Sequence, residues 1–172
     1  MSDQSASVYL LSSPIFIIVA MSHNKVPEGS LVAVHGMGSV HFTSRCIKAD
    51  TERCYRGLGH LAVQYSKAMG YRTVAVSSSG SKKELSLRLG ADVYIDESSQ
   101  DAVEELQKLG GADMIVTTAP TSAGAWKMLG GLAFEGRLVA VSLPVEPAPL
   151  SPSMCYPHIA SFNAADEITR CQ

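Results

Sequence analysis

The length, composition and charge of this chain indicate one folded domain and exclude a bulk affinity for polyanions. It has 172 residues, of which 46% are apolar, and this is enough to fill one sizeable core. Its 14 basic and 16 acidic residues give a net charge of −2, so we expect no binding to nucleic acid or to an acidic membrane.

An apolar stretch at residues 8–21 lies near the start of the sequence. It is shorter than the roughly 20 residues that cross a bilayer, and Ser12, Ser13 and Pro14 interrupt it. The residues before it lack the positive charge of a secretory signal, which favours a cytoplasmic chain without a membrane partner. We therefore predict a buried helix or strand within an N-terminal segment at 1–26, with a membrane or targeting role as the alternative.

From Ser30 onward, short β-branched runs alternate with amphipathic stretches, which predicts an α/β fold with parallel strands and crossover helices. The predicted strands are residues 31–35, 73–76, 93–95, 114–118 and 138–142, and the predicted helices are residues 57–69, 81–89, 102–109 and 122–133. Beyond Pro144 the periodicity fades. We predict an irregular tail at 153–172, with one short helix near 164–170.

The four cysteines do not form a metal-binding or disulfide pattern. Cys46 and Cys54 lie far in sequence from Cys155 and Cys171, and no C-x-x-C pair occurs. This usage is typical of free thiols in the cytosol. His41 lies near Cys46, but the spacing of a metal site is missing, so we predict no metal ligands.

Glycines at the end of the first predicted strand and at the start of the next helix form a glycine-rich sequence motif, called the fingerprint below, that an insert interrupts. If the eighteen residues at 39–56 are set aside, the junction reads G-x-G-x-x-G. In this pattern the first glycine permits a tight turn, the second lets backbone approach a pyrophosphate, and the third lets the helix pack on the strand. The helix N-terminus offers free N–H groups to the phosphates. The predicted pyrophosphate-binding residues are Gly36, Gly38, Gly57, Leu58 and Gly59.

The residues after the second predicted strand indicate which dinucleotide would bind. NAD sites carry an acidic residue about 20 positions after the fingerprint, where it binds the adenosine ribose. Here that place holds Ser77, followed by Ser78 and Lys82. Hydroxyl and ammonium groups would bind a 2′-phosphate that an acid would repel, so the pattern favours NADP over NAD. The alternative is a Ser/Gly turn followed by solvated lysines.

Several of these segments resemble the medium-chain, zinc-type alcohol dehydrogenases. The matching segments, in the family's order and spacing, are residues 57–72, 77–84, 89–92 and 111–113. The Ser-rich second segment, which includes Lys82 and Lys83, is most similar to the NADP-dependent, cinnamyl-alcohol-dehydrogenase-like branch. The resemblance implies a Rossmann-type domain at 27–152 that binds NADP(H). It also implies that the ends of the fourth and fifth strands border the adenosine and nicotinamide halves, at Thr118, Ala119 and Leu143.

The resemblance further implies an oxidoreductase that moves hydride between NADP(H) and an alcohol or aldehyde held on zinc. The family carries its zinc ligands and proton relay in a separate N-terminal domain, and residues 1–26 hold no such motif. The family's sixth strand is not recognisable after Pro152. We therefore expect an incomplete C-terminal sheet edge, which leaves a homodimer through that edge open.

These observations predict the coenzyme-binding portion of such an enzyme, inactive alone, with no catalytic residue and no metal ligand. Zinc would be a cofactor of the complete family enzyme only. The alternatives are a noncatalytic nucleotide- or protein-binding module, or a misprocessed fragment.

The insert at 39–56 carries a net charge of +2 and admits three interpretations. It is a flap that grips phosphate, a solvated loop, or translated intervening sequence that should have been removed from the transcript. Its length lets the N–H groups that must converge on a pyrophosphate separate, so we expect coenzyme binding to be weak.

Deletion of residues 39–56 tests this expectation, because it joins Gly38 to Gly57. Titration calorimetry should show NADPH affinity raised tenfold or more, which is about 1.4 kcal/mol. The thermal midpoint measured with ligand should rise as well. Unchanged or abolished affinity would show that the insert is a genuine part of the fold and that the reconstructed fingerprint is wrong. Peptides that span residues 38–57, sought by mass spectrometry, test the processing interpretation separately.

Overall fold

The computed structural model describes residues 14–37, 58–119, 122–141 and 162–164. Within these ranges, five α-helices and six strands form one α/β unit. The strands are β1 (Leu31–His35), β2 (Arg72–Ser77), β3 (Val93–Asp96), β4 (Ala112–Thr117), β5 (Leu132–Ala140) and β6 (Phe162–Ala164). The helices are α1 (Pro14–His23), α2 (Leu58–Ala68), α3 (Lys83–Arg88), α4 (Ala102–Lys108) and α5 (Ser122–Lys127).

The six strands form one sheet in the order β3-β2-β1-β4-β5-β6, and the described neighbours all pair in parallel. This is the strand order of a Rossmann dinucleotide-binding fold. The predicted fold class is therefore confirmed.

Both faces of the sheet are covered by helices, which gives three layers. Side chains alternate along a strand, so Val32 and Val34 of β1 pack with α1 and α2. Leu31 and Ala33 point to the opposite face and pack with α4 and α5. All five residues of β1 are buried, as expected for a central parallel strand.

The N-terminal apolar stretch contributes a helix to this core. Pro14 stands at the first position of α1, where its missing N–H costs no hydrogen bond. Ile17 and Met21 are completely buried in the cluster that α1 shares with α2. The prediction of a buried segment is thus confirmed for the described part. None of the helices described here has the length and apolar character that crossing a bilayer requires.

The last helix and the fifth strand differ from their predicted bounds. α5 ends at Lys127 and a 3₁₀ turn, Met128–Gly131, follows it, because two adjacent glycines are poor helix formers. β5 then starts at Leu132, which pairs with Ala112. Residues 133–136 bulge out of the ladder before regular pairing resumes, and Glu135 there has a φ of 61°.

A sixth strand, which is not recognisable in the sequence, is present at this edge of the sheet. β6 lies beside β5 in parallel register, with Leu138 opposite Phe162 and Ala140 opposite Ala164. A strand of three residues has no periodicity that a sequence pattern can reveal, and only its pairing with β5 identifies it. This edge of the sheet is short, as expected. The rest of the predicted helix at 164–170 lies outside the described residues, as do the insert at 39–56 and the four cysteines.

Candidate functional site

The predicted site residues that the structure describes meet at the carboxyl ends of β1, β2 and β4. The chain runs from β1 to one side of the sheet and from β4 to the other, so these neighbouring strands form a topological switch point. Open α/β sheets bind ligands in the crevice at such a point. Gly38, Gly57 and Leu143, which were also predicted to bind the coenzyme, lie outside the described residues.

Gly36 makes the turn that follows β1. Its φ of +96° is a conformation that favours glycine. A Cβ there would lie 2.9 Å from both Thr118 Oγ1 and Ala119 N, so the loop after β4 also leaves no room for a side chain. The Thr118 hydroxyl donates to Gly36 O over 2.6 Å, and Thr118 N donates to His35 O over 2.9 Å. The structure therefore brings Gly36, Thr118 and Ala119 together, as the site prediction requires.

Gly59 lies in the first turn of α2 and packs directly on the end of β1. A Cβ on Gly59 would overlap Gly36 O and would lie 3.0 Å from Gly36 C and 3.2 Å from Met37 Cα. These neighbours are backbone atoms, which cannot move aside as a flexible side chain can. This is the close approach that the fingerprint requires of its third glycine. The phosphate contact itself stays a prediction.

The first turn of α2 suits an anion. Leu58, the first residue of the helix, is buried, and no acidic residue stands in the first turn. The first N–H groups of a helix have no partner within it, and the helix dipole is positive at this end. The helix therefore begins beside the switch point with the polarity that a pyrophosphate requires.

The three residues predicted to bind a 2′-phosphate follow one another at the end of β2. Ser77 closes the strand and is 3% exposed, so its hydroxyl is set back from solvent. Ser78 is exposed, and the half-buried Lys82 ends a 3₁₀ turn, Gly80–Lys82. Among the described residues, no hydrogen bond or ion pair occupies the Ser78 hydroxyl or the Lys82 ammonium group. These two groups are therefore the ones available to a ligand.

A buried histidine joins the ends of three strands behind this site, and the sequence pattern did not single it out. His35 Nδ1 lies 3.0 Å from Thr117 Oγ1, and His35 Nε2 lies 3.3 Å from Glu97 Oε2. Glu97 follows β3, and its N–H donates to Ser77 O at the end of β2. A polar residue at the end of an otherwise apolar strand is the only sequence signal for this cluster.

The charge of Glu97 is stabilised by this arrangement. The hydrogen bond from His35 holds the pKa of Glu97 below its usual value, against the opposing effect of burial. Electrostatic interaction with His35 and Lys127 lowers this pKa further, whereas the charge of Asp101 raises it. Glu97 is therefore ionised at neutral pH and fixes the orientation of the imidazole.

The described residues include no group of three or more His, Cys, Asp or Glu side chains that would hold a metal ion. The prediction that the chain carries no metal ligands stays a prediction.

The sequence of this chain is similar to those of known dehydrogenases. Residues 57–164 match a family model described as zinc-binding dehydrogenase. The chain is 40% identical to alcohol dehydrogenase patD of Penicillium expansum over 134 residues. The aligned region covers 78% of this chain and 34% of that protein. It is 32% identical to NADP-dependent alcohol dehydrogenase C 1 of Mycolicibacterium smegmatis over 142 residues. The aligned region covers 83% of this chain and 35% of that protein.

A solved structure agrees with the observed fold. The 2R,3R-butanediol dehydrogenase of Bacillus subtilis superposes with a TM-score of 0.69 at 21% identity, over 88% of this chain and 39% of that one. At this identity the likeness shows the fold alone. The chain spans about a third of the length of the two curated relatives, at 34% and 35%.

Substitution of Gly59 by Ala tests the contact between α2 and β1. The added methyl group meets backbone, so we expect a loss of about 1–3 kcal/mol in the free energy of unfolding, measured in urea. Gly130→Ala is the control, because its Cβ would meet the Val103 side chain at 3.0 Å and no backbone. Equal effects of the two substitutions would contradict the proposed close approach.

Substitution of Glu97 by Gln tests the link to His35. The folded-state pKa of Glu97 is lowered, so its contribution to stability is present above the unfolded value, ordinarily about 4.3, and is lost as the pH falls through the folded value. Urea unfolding should show a loss of about 1 kcal/mol at pH 7 that shrinks below pH 4. Glu28→Gln, an exposed substitution, should show little loss at either pH. A loss that does not depend on pH would rule out the charged link.

Proposed function

Because this chain belongs to the zinc-binding dehydrogenase family, we propose that it binds NADP(H) for an oxidoreductase that transfers hydride between this coenzyme and an alcohol or aldehyde. Its described part is the coenzyme-binding domain of the zinc-type alcohol dehydrogenases. The contact between Gly59 and the Gly36 carbonyl carries the proposal, because it places a helix N-terminus at the switch point of the sheet.

The residues of this chain bind and orient the coenzyme. N–H groups in the first turn of α2, at Leu58 and Gly59, hold the pyrophosphate together with Gly38 and Gly57. Gly36, whose positive φ favours glycine, has no side chain to block the approach of the pyrophosphate. Thr118 and Ala119 border the adenosine half, and Leu143 borders the nicotinamide half.

The preference for NADP depends on charge at the end of β2. Asp96 at the end of β3 lies close to Gly80, and hydrogen bonds from the Ser98 hydroxyl and N–H lower its pKa and keep it ionised. That charge opposes a nearby 2′-phosphate. The ammonium group of Lys82 offsets it, with the Ser78 hydroxyl as a neutral donor. The relative from Mycolicibacterium smegmatis is named as NADP-dependent, which agrees with this preference.

Zinc polarises the substrate oxygen in metal-assisted hydride transfer. The described residues do not offer a ligand set for it, so we assign no step of the reaction to a metal held by them. We propose that the chain alone binds coenzyme without turnover.

A noncatalytic nucleotide-binding module is the second candidate, since the chain spans about a third of the curated relatives. An assay of the purified chain with zinc, NADPH and a panel of aldehydes tests the absence of turnover that both candidates predict. Zinc-dependent turnover would show that the chain is itself the enzyme and that the proposed inactivity is wrong.

Substitution of Lys82 by Gln tests the coenzyme preference. We expect the wild-type chain to bind NADPH more tightly than NADH in titration calorimetry. Loss of a charge-assisted hydrogen bond should lower NADPH affinity about tenfold and leave NADH affinity within twofold. Lys83→Gln removes the same charge from the next residue and should leave the ratio of the two affinities nearly unchanged. Equal wild-type affinities for the two coenzymes would refute the preference for NADP.

A further inference from the structure

A single carbonyl oxygen organises the turn that presents Ser78 and Lys82. Ser79 O accepts a hydrogen bond from Lys82 N over 3.3 Å, which closes the 3₁₀ turn at Gly80–Lys82. The same oxygen accepts a short hydrogen bond from the hydroxyl of Tyr94. The position of Lys82 and the hydroxyl of Tyr94 are therefore linked through one atom.

Tyr94 fixes this oxygen to the sheet. It belongs to β3, pairs with Ala75 of β2, and packs its half-buried ring against the core cluster on the α1 and α2 face. The hydroxyl therefore reaches the turn from a support that regular strand pairing holds in place. Burial raises the pKa of Tyr94, the Ser77 hydroxyl opposes this, and the charges of Asp96 and Glu97 raise it further. The phenol keeps its proton at neutral pH and acts as a donor.

At its far end the turn is also held by the following helix, because the Ser86 hydroxyl donates to Lys82 O over 2.8 Å, but residues 78–81 have few other contacts of this kind. Ser78, Gly80 and Ser81 are exposed, and the N-cap residue Ser79 makes no side-chain capping bond. The Ser79 and Ser81 hydroxyls bond only to each other, over 2.8 Å. Within the part of the chain that the structure describes, the Tyr94 hydroxyl makes the one hydrogen bond from a sheet side chain to residues 78–82.

We infer that Tyr94 is a positioning residue for coenzyme choice. Its hydroxyl holds the turn so that Lys82 and Ser78 face the 2′-phosphate, and it does not itself touch the nucleotide. Loss of the hydroxyl should therefore weaken the binding of a 2′-phosphate and leave the binding of adenosine and its 5′-phosphate intact. This inference rests on the proposed coenzyme site.

Substitution of Tyr94 by Phe removes the hydroxyl and keeps the ring in the core. The probes are adenosine 2′,5′-bisphosphate and adenosine 5′-monophosphate, titrated by calorimetry into the full chain. We expect the affinity for the bisphosphate to fall three- to tenfold and that for the monophosphate to stay within twofold. Tyr65→Phe is the matched control, because Tyr65 packs against the same core cluster and its hydroxyl bonds to no described residue. It should leave both affinities unchanged.

A double substitution shows whether Tyr94 acts through Lys82. If it does, Tyr94→Phe should cost little further bisphosphate affinity in a chain that already carries Lys82→Gln. If the losses of bisphosphate affinity caused by the two substitutions add fully, Tyr94 does not act through Lys82. Thermal unfolding of each variant confirms that the chain is folded at the titration temperature.

The remaining outcomes separate this inference from the proposed function. If the wild-type chain binds neither nucleotide, or binds both equally, the proposed coenzyme preference is wrong and the inference falls with it. If the wild type prefers the bisphosphate and Tyr94→Phe keeps the same ratio, the role of Tyr94 alone is wrong. An equal loss of both affinities would show a merely structural role and would also overturn the inference.

Discussion

The backbone contact between Gly59 in α2 and Gly36 after β1 is the constraint on which the candidate site depends. A helix packed this closely carries its N-terminus to the carboxyl end of β1, where the connections after β1 and β4 run to opposite sides of the sheet. The same contact seats α2 on the sheet, so that its buried face meets the side chains of β1. The contact between Gly59 and Gly36 therefore contributes both to the packing of α2 on the sheet and to the position of the helix N-terminus in the candidate site.

Side chains at and just after β3 support the site from behind. Glu97 reaches the imidazole of His35, and Tyr94 reaches the turn after β2. These groups are buried or half-buried, where a satisfied hydrogen bond counts for more than it does in water and an unsatisfied one is costly. Their effect is to hold loops that would otherwise depend on exposed serines and glycines. The candidate site therefore has a second row of polar residues at and just after β3.

The described part of the chain is the coenzyme-binding domain of the zinc-type alcohol dehydrogenases. Its described residues offer a cradle for a dinucleotide, made from glycine backbone and a helix N-terminus, and a cation beside the proposed 2′-phosphate site. They do not offer a metal ligand set. Binding of a nucleotide is therefore the first property of this chain to measure.

The sequence by itself determined the first five strands, the helices between them and the glycine junction. Each of these leaves a local signal: β-branched runs for buried strands, a periodic apolar stripe for α2, and glycines where a side chain cannot fit. Only the tertiary structure decided the short strand β6, the early start of β5, and the contacts of His35 and Tyr94. These depend on register between distant segments, as in the bond between His35 and Thr117, which are 82 residues apart. A local pattern sets backbone conformation and burial, whereas the partner of a polar side chain is set by which strands become neighbours.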